Sequence, residues 1–383
     1  MELVRRAGCR CARRAPRPAP VAPLLLALLV LVWPWRASAE DLAWEREGLE
    51  GREVRALAFS SDPSGMVALT GGAREPMPLW LRDGQGWSQP AGGVPSFILA
   101  LAALLDGGVL LATGRDISDQ PGVFLLSGNP PSTRRIYNAQ AIGALAVAPG
   151  RGDVYAASAP WADRDAGSDL LRRDASGGGW SPILHGNLVC GQTPPYFRQV
   201  LVAPSAPSRL YALEWCFATV VRQTQLWRSD DRGQTWQVLP RAGAAYPLVG
   251  TLAVDPTDED VLYLAGPAQP TSLAVATGVL STPAAAPPAG VERSLDGGLT
   301  WTLKGDAVDG LTAIRTLLVD PRNPQRILAG TERNGVFFSD DHGDTWRPLP
   351  GLEGLRIWVL AIDEATGRLH AATSDGVWRT TWP

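Results

Sequence analysis

The amino-acid sequence predicts an all-β fold, a single seven-bladed β-propeller of four-stranded blades closed by an amino-terminal strand that joins the last blade. Three observations predict it. A pair of short apolar strands recurs seven times. A turn of pattern Ser-x-Asp-x-Gly-x-Thr-Trp occurs in three full copies. The carboxyl end stops one strand short of a complete unit, and residues near the amino end resemble the missing strand.

In chain order, residues 1–39 read as a secretory signal peptide. Arg5, Arg6, Arg10, Arg13, Arg14 and Arg17 form a basic segment, Val21 to Val32 is apolar, and Ala37-Ser38-Ala39 supplies a small-x-small cleavage pattern. The other reading is a retained membrane anchor. The apolar run of about a dozen residues falls short of the ~20 that a spanning helix needs. Two arginine pairs raise a twin-arginine signal, but Ala7-Gly8 and Ala15-Pro16 after them match it poorly. The expectation is a cleaved leader, a propeller over residues 40–383, no membrane span after cleavage, and a secreted or cell-envelope location. Seven of 35 basic residues and one of 38 acidic residues lie in the leader, so 28 basic face 37 acidic residues beyond it, a net charge of −9. Lys304 is the only lysine. This balance disfavours nucleic acid or an anionic membrane surface as a partner.

The repeat begins with Arg55 to Phe59 followed by Met66 to Leu69. It returns as Leu99 to Ala102 with Val109 to Ala112, Gly143 to Val147 with Val154 to Ala157, and Gln199 to Val202 with Leu210 to Leu213. The last three units are Gly250 to Val254 with Val261 to Leu264, Arg315 to Val319 with Ile327 to Gly330, and Trp358 to Ile362 with Leu369 to Ala372. Matching positions are Leu57, Leu101, Leu145, Val200, Leu252, Leu317 and Leu360, at steps of 44, 44, 55, 52, 65 and 43 residues. A period near 44 with insertions suits one four-stranded blade. The first strands are nearly continuous apolar runs, which predicts an innermost strand buried on both faces. The 41 glycines and 33 prolines fit many short strands joined by tight turns.

The turn between third and fourth strands carries the best-defined motif. It reads Ser229-x-Asp231-x-Gly233-x-Thr235-Trp236, then Ser294-x-Asp296-x-Gly298-x-Thr300-Trp301, then Ser339-x-Asp341-x-Gly343-x-Thr345-Trp346. The Asp carboxylate can accept backbone N–H groups within its own turn. The Gly permits a positive φ, and the Trp offers a large face to bury between blades. Decayed copies at Arg82 to Trp87 and Arg173 to Trp180 keep the turn and the Trp, and the second blade keeps little near Ser127-Gly128-Asn129. After Gly376 to Arg379 only Thr380-Thr381-Trp382-Pro383 remain. The stretch Trp44 to Gly51 resembles Trp346 to Gly354, the fourth strand of the preceding blade and its exit. Asp41 to Glu45 is therefore expected to form the outer strand of the last blade and to cover its open edge.

The three turns resemble the Asp-box, or bacterial neuraminidase repeat, of sialidases, xyloglucan-cleaving glycoside hydrolases, sortilin-type receptors and photosystem II assembly propellers. The resemblance covers residues 41–383 and implies architecture, with the Asp-box residues structural. It does not carry an activity, because function is not inherited from a fold.

Alternating strand directions put first-to-second and third-to-fourth turns on one face, with every Asp-box. Second-to-third turns and blade connections share the other face, the top, where a binding site is expected. Polar candidates there are Arg74, Arg115, Asp116, Asp163, Arg164, Glu332 and Arg333, with Glu214 and Asp375 completing a charged rim. Trp161 and Trp215 are candidates for stacking on sugar rings, or pack the loops. Cys190 and Cys216 fall on neighbouring top-face segments. A disulfide is the leading reading in an oxidising compartment, and two free buried thiols the other. The insertion from Ala265 to Gly290 reads as a loose loop or a lid.

A sialidase would need three arginines on a carboxylate, a Tyr–Glu nucleophile pair and an Asp acid. Arg74, Arg115 and Arg333 are available, but no Phe-Arg-Ile-Pro element is present, the nearest string being Tyr196-Phe197-Arg198-Gln199. A two-carboxylate glycosidase would draw on Asp116, Asp163 and Glu332. No G-x-S-x-G or HExxH-like spacing occurs, and His185, His342 and His370 fall in unrelated positions, which disfavours a histidine metal site. The expectation is an exported, monomeric, non-catalytic binding or assembly propeller with no cofactor and no metal, presenting its top face to a protein or glycan partner.

Overall fold

The computed structural model describes residues 42–60, 65–71, 77–90, 92–114, 121–138, 140–159, 168–188, 195–217, 222–240, 250–266, 290–305, 311 and 313–383. Among these residues the chain forms twenty-eight strands and no helix. The first, β1 (Glu45–Gly48), belongs to the last blade. Blade one is β2 (Val54–Ser60), β3 (Gly65–Thr70), β4 (Leu79–Asp83) and β5 (Gly86–Ser88). Blade two is β6 (Ile98–Ala103), β7 (Val109–Thr113), β8 (Gly122–Ser127) and β9 (Ser132–Tyr137). Blade three is β10 (Ile142–Val147), β11 (Val154–Ser158), β12 (Asp169–Arg173) and β13 (Trp180–His185). Blade four is β14 (Tyr196–Val202), β15 (Leu210–Phe217), β16 (Arg222–Ser229) and β17 (Gln237–Val238). Blade five is β18 (Thr251–Val254), β19 (Leu262–Ala265), β20 (Val291–Ser294) and β21 (Thr302–Lys304). Blade six is β22 (Ile314–Val319), β23 (Ile327–Thr331), β24 (Val336–Ser339) and β25 (Arg347–Leu349), and blade seven is β26 (Ile357–Asp363), β27 (Arg368–Thr373) and β28 (Gly376–Thr381) with β1. The seven sheets are antiparallel, and the described residues form a seven-bladed propeller.

Closure of the ring follows the expected logic with a shifted strand. β1 pairs β28 through Glu45 with Arg379, Arg46 with Trp378 and Gly48 with Val377. The expected outer strand ended at Glu45, whereas the observed one begins there. The reason is the tryptophan. Trp44 stands just before β1, as Trp346 stands just before β25, and both side chains pack into a cluster between two blades. Trp44 leads its strand as Trp236, Trp301 and Trp346 lead theirs.

Seven hydrophobic clusters fill the seven blade interfaces, one each. Tryptophans at the start of fourth strands enter six of them: Trp87, Trp180, Trp236, Trp301, Trp346 and Trp44. Burial differs from the expectation in one respect. The second strands, such as β7, β11 and β23, are buried along their whole length. First strands such as β6 and β10 are mostly half-buried. Their apolar runs line the central channel on one side, so of the first two strands it is the second that is sandwiched on both faces.

The three full Ser-x-Asp-x-Gly-x-Thr-Trp turns share one hydrogen-bond pattern. In the first, the Gly233 N–H donates to Ser229 Oγ at 2.8 Å, and Asp231 accepts from the Thr235 N–H at 2.8 Å and the Thr235 hydroxyl at 2.6 Å. The second and third repeat these bonds around Asp296 and Asp341. Gly233, Gly298 and Gly343 have φ of 85°, 92° and 87°, a region open to glycine at no steric cost. Each indole donates to the carbonyl of its own turn glycine. In the decayed turns the donor goes elsewhere. Trp87 donates to Glu47 O at 3.0 Å and Trp180 to Ile136 O at 3.1 Å, both on the outer strand of the preceding blade.

Candidate functional site

The top mouth of the central channel is built by the first strands. In six blades the register of the first strand against the second slips at its top end, between Val54/Ala56, Ile98/Ala100, Ile142/Ala144, Phe197/Gln199, Ile314/Thr316 and Ile357/Val359. A bulge leaves one residue unpaired and re-aims its side chain. The bulged residues are Arg55, Leu99, Gly143, Arg198, Arg315 and Trp358. Three arginines and a tryptophan thus occupy one ring.

These side chains meet. The guanidinium carbons of Arg55 and Arg315 lie 4.4 Å and 4.3 Å from the Trp358 ring centroid, and that of Arg356 lies 5.3 Å from it. Cations over an indole face are held by the ring quadrupole. Two carboxylates thread between them. Arg356 binds Glu332 through Nε at 2.6 Å and Glu53 through Nη1 at 3.1 Å. Arg315 also pairs with Glu332, and Arg55 approaches Glu53 at 3.5 Å. Burial alone would raise the Glu332 pKa, but hydrogen bonds and charge from Arg315 and Arg356 outweigh it and hold the group below its usual value.

Arg198 stands across the ring. Its Nε donates to Gly250 O at 2.9 Å, and its guanidinium lies 4.5 Å from the Trp215 centroid. Enclosure by the channel wall lowers its pKa, and the like charge of Arg315 adds to that. Among the described residues, four guanidiniums against two carboxylates leave an excess of two positive charges at this mouth. The unsatisfied buried atoms here, Arg55 Nε and Trp358 Nε1, are both donors. Below the ring the channel is apolar, with a cavity of about 380 Å³ against Leu201, Leu252, Leu318 and Ala361.

Of the residues expected at the top face, Glu332 belongs to this cluster. Arg333 is exposed and stays outside it. Of the two readings of Trp215, an exposed stacking ring or a packing residue, its burial agrees with the second. It is 8% exposed, packed in the cluster between blades four and five against Tyr196, because the aliphatic and guanidinium parts of Arg198 cover it. Glu214 is fully buried, accepting from the Leu188 N–H and the Trp227 indole, and burial raises its pKa. Asp375 ties the closing strand, accepting from Arg46 and the Gly51 N–H. Cys216 is buried at the end of β15. Arg74, Arg115, Asp116, Trp161, Asp163, Arg164 and Cys190 lie outside the described residues. No cluster of metal-ligating side chains occurs among the described residues. No helix among them is long and apolar enough to cross a membrane.

The arginines of the mouth were not singled out from the sequence, although a signal existed. Arg55, Arg198, Arg315 and Trp358 each stand two residues before the matching position of their repeat.

No family model and no curated protein matches the chain. Solved structures do. An ancestral GH74 enzyme is 15% identical with a TM-score of 0.60, over 87% of this chain and 45% of its own. The chain spans about half the length of that enzyme. YCF48 bound to D1 peptide is 12% identical with a TM-score of 0.59, over 89% of this chain and 95% of its own. YCF48 from Cyanidioschyzon merolae is 12% identical with a TM-score of 0.58, over 89% and 99%. At such identities the likeness is one of fold.

Proposed function

We propose that this protein is a non-catalytic binding or assembly propeller whose top channel mouth docks an acidic segment of a protein partner. The observation that carries the reading is the cluster of Arg55, Arg315 and Arg356 around Trp358, with Arg198 across the mouth, giving surplus positive charge among the described residues and leftover donors in a chain of net charge −3. Guanidinium forks suit carboxylate recognition. A propeller of the same fold, YCF48, has been solved with a peptide bound, which is consistent with this use. The proposal includes export with loss of residues 1–39, a Cys190–Cys216 disulfide on the top face, and a monomeric state.

The second reading is a glycoside hydrolase, favoured by the likeness to a GH74 enzyme. Its chemistry needs a carboxylic acid held protonated near neutral pH. Glu332 is pulled the other way, and Arg356 binds both Glu53 and Glu332. The described carboxylates at this mouth are therefore paired with arginines rather than poised for proton transfer.

The test is fluorescence anisotropy with labelled peptides of matched length, carrying two, one or no carboxylate side chains. Binding should rise with carboxylate number, and Arg55→Ala or Arg315→Ala should weaken it roughly tenfold or more, as expected for a lost charge-assisted hydrogen bond. Indifference to carboxylate number sinks the reading. Turnover of xyloglucan oligosaccharides that Glu332→Gln abolishes would establish the enzyme instead.

A further inference from the structure

On the opposite face, at the seam where the ring closes, a cavity of about 280 Å³ lies between blades seven and one. Its walls include Arg82 and Asp83 of blade one, and Asp363, Arg368, His370 and Arg379 of blade seven. None of these residues takes part in the arginine mouth.

The acceptors of this cavity are held in ion pairs or hydrogen bonds. Glu47, its side chain 3% exposed, lies 2.6 Å from Arg82 and 2.8 Å from Arg379, although its Oε2 accepts no hydrogen bond. Asp83 accepts from the N–H groups of Gln85 and Gly86 in its own turn. Asp363 accepts from the Ala365 N–H and the Thr366 hydroxyl. Several nitrogens remain unengaged. Arg368 is exposed and has no hydrogen bond or ion pair among the described residues. Arg82 Nε is buried without a partner. The His370 ring is 3% exposed, packs edge-on against Phe59 at 5.2 Å, and leaves Nδ1 unpartnered. Burial first, and then the charges of Arg379, Arg368 and Arg82 against the single opposing charge of Asp363, lower its pKa to about 4.

We propose that this seam cavity binds a small tetrahedral oxyanion of the phosphate or sulfate type. Arg368 and His370 hold it from blade seven and Arg82 from blade one. Donors without acceptors on two facing walls call for a ligand that presents acceptors in several directions, which a tetrahedral oxyanion does and a planar carboxylate does less well. The bound anion bridges the first and last blades, so binding stabilises the closed ring by linkage.

Thermal unfolding of the full chain tests this with sodium phosphate, sulfate, acetate and chloride at matched ionic strength. Phosphate or sulfate should raise Tm in a saturable way beyond chloride, and acetate should not. Arg368→Ala, a change at an exposed position, should weaken the half-saturating phosphate concentration at least tenfold. Arg333→Ala, an exposed arginine on the top face, should leave it unchanged. As a second readout, the His370 ring resonances should move with phosphate and titrate at higher pH. The proposal is overturned if phosphate and sulfate act no differently from chloride, if Arg368→Ala keeps the full effect, or if both arginine variants lose it equally. The anion that gives the larger shift identifies which member of the class the cavity prefers.

Discussion

Glu332 and His370 are both enclosed ionisable residues, and their surroundings push them in opposite directions. Glu332 has Arg315 and Arg356 as partners, so its charge is kept. Its side chain is 23% exposed, which discounts the interaction for solvent screening. Glu332→Ala should therefore cost about 1 kcal/mol in urea unfolding. It should also tighten acidic-peptide binding, because the mouth gains a net positive charge. A mutant that loses stability and peptide binding together would show that Glu332 holds the arginines in place. His370 has no partner and stays neutral, with its pKa lowered from 6.5 to about 4. The unfolded chain binds this proton more readily than the folded one. Stability from the neutral ring is therefore complete above pH 6.5 and is lost as pH falls towards 4. In an anion-free buffer the drop should reach at most roughly 3 kcal/mol, and His370→Gln should flatten the profile between pH 6.5 and 4. An unchanged pH profile in that variant would place the acid sensitivity elsewhere. At this scale the sequence was only partly legible. Arg55, Arg198 and Arg315 share a repeat position with Trp358, but nothing in their order shows that a bulge turns them into the mouth. Trp215 shows the converse, since a top-face address does not reveal the arginine that covers it.

Strands and turns were more legible, because apolar runs and turn residues answer to local physics. The seven strand pairs read from the sequence all fall on first and second strands of blades. Which of the pair is buried on both faces was not readable, since both are apolar and only the channel distinguishes them. The turns make their own test. Asp341 accepts from the Thr345 N–H, the Thr345 hydroxyl and the Ser339 hydroxyl, and these outweigh the burial that alone would raise its pKa. Asp341→Ala leaves those donors without their acceptor and should cost about 1–3 kcal/mol, while Asp106→Ala in the first-to-second turn of blade two, where Asp106 accepts a single N–H bond, from Gly108, should cost less. Equal losses would mean that the network adds nothing beyond one bond. Gly376 tests the closing hairpin. Its φ is 86°, and an added Cβ would stand 2.6 Å from the Gly48 carbonyl oxygen on β1. Gly376→Ala should destabilise by about 1–3 kcal/mol through backbone strain and displacement of β1. Wild-type stability in that variant would mean that β1 yields at no cost.

The whole ring depends on β1 more than on any other outer strand, because every other blade is completed by its own contiguous chain. Around it are gathered Leu42, Trp44 and Leu49 in two interface clusters, the Asp375 bonds to Arg46 and Gly51, and the Glu47 carbonyl that receives the Trp87 indole. On the facing side Trp382 donates to Asp320 at 2.7 Å, tying the carboxyl end to blade six. A chain lacking residues 40–50 keeps six complete sheets and exposes β28 as an unpaired edge, the kind of edge that recruits other chains. Three effects should appear together. The Tm should fall by more than for Trp180→Ala, which empties one interface without opening the ring. Amide exchange should quicken in β28 and β27 before any other blade, since the loss of an outer strand releases its neighbour first. The truncated chain should self-associate at concentrations where the full chain does not, and a synthetic peptide of residues 40–50 added in trans should reverse both the exchange and the association. If exchange instead quickens uniformly in all seven blades, the ring is one cooperative unit with no weaker seam, and closure by β1 contributes stability without localising it.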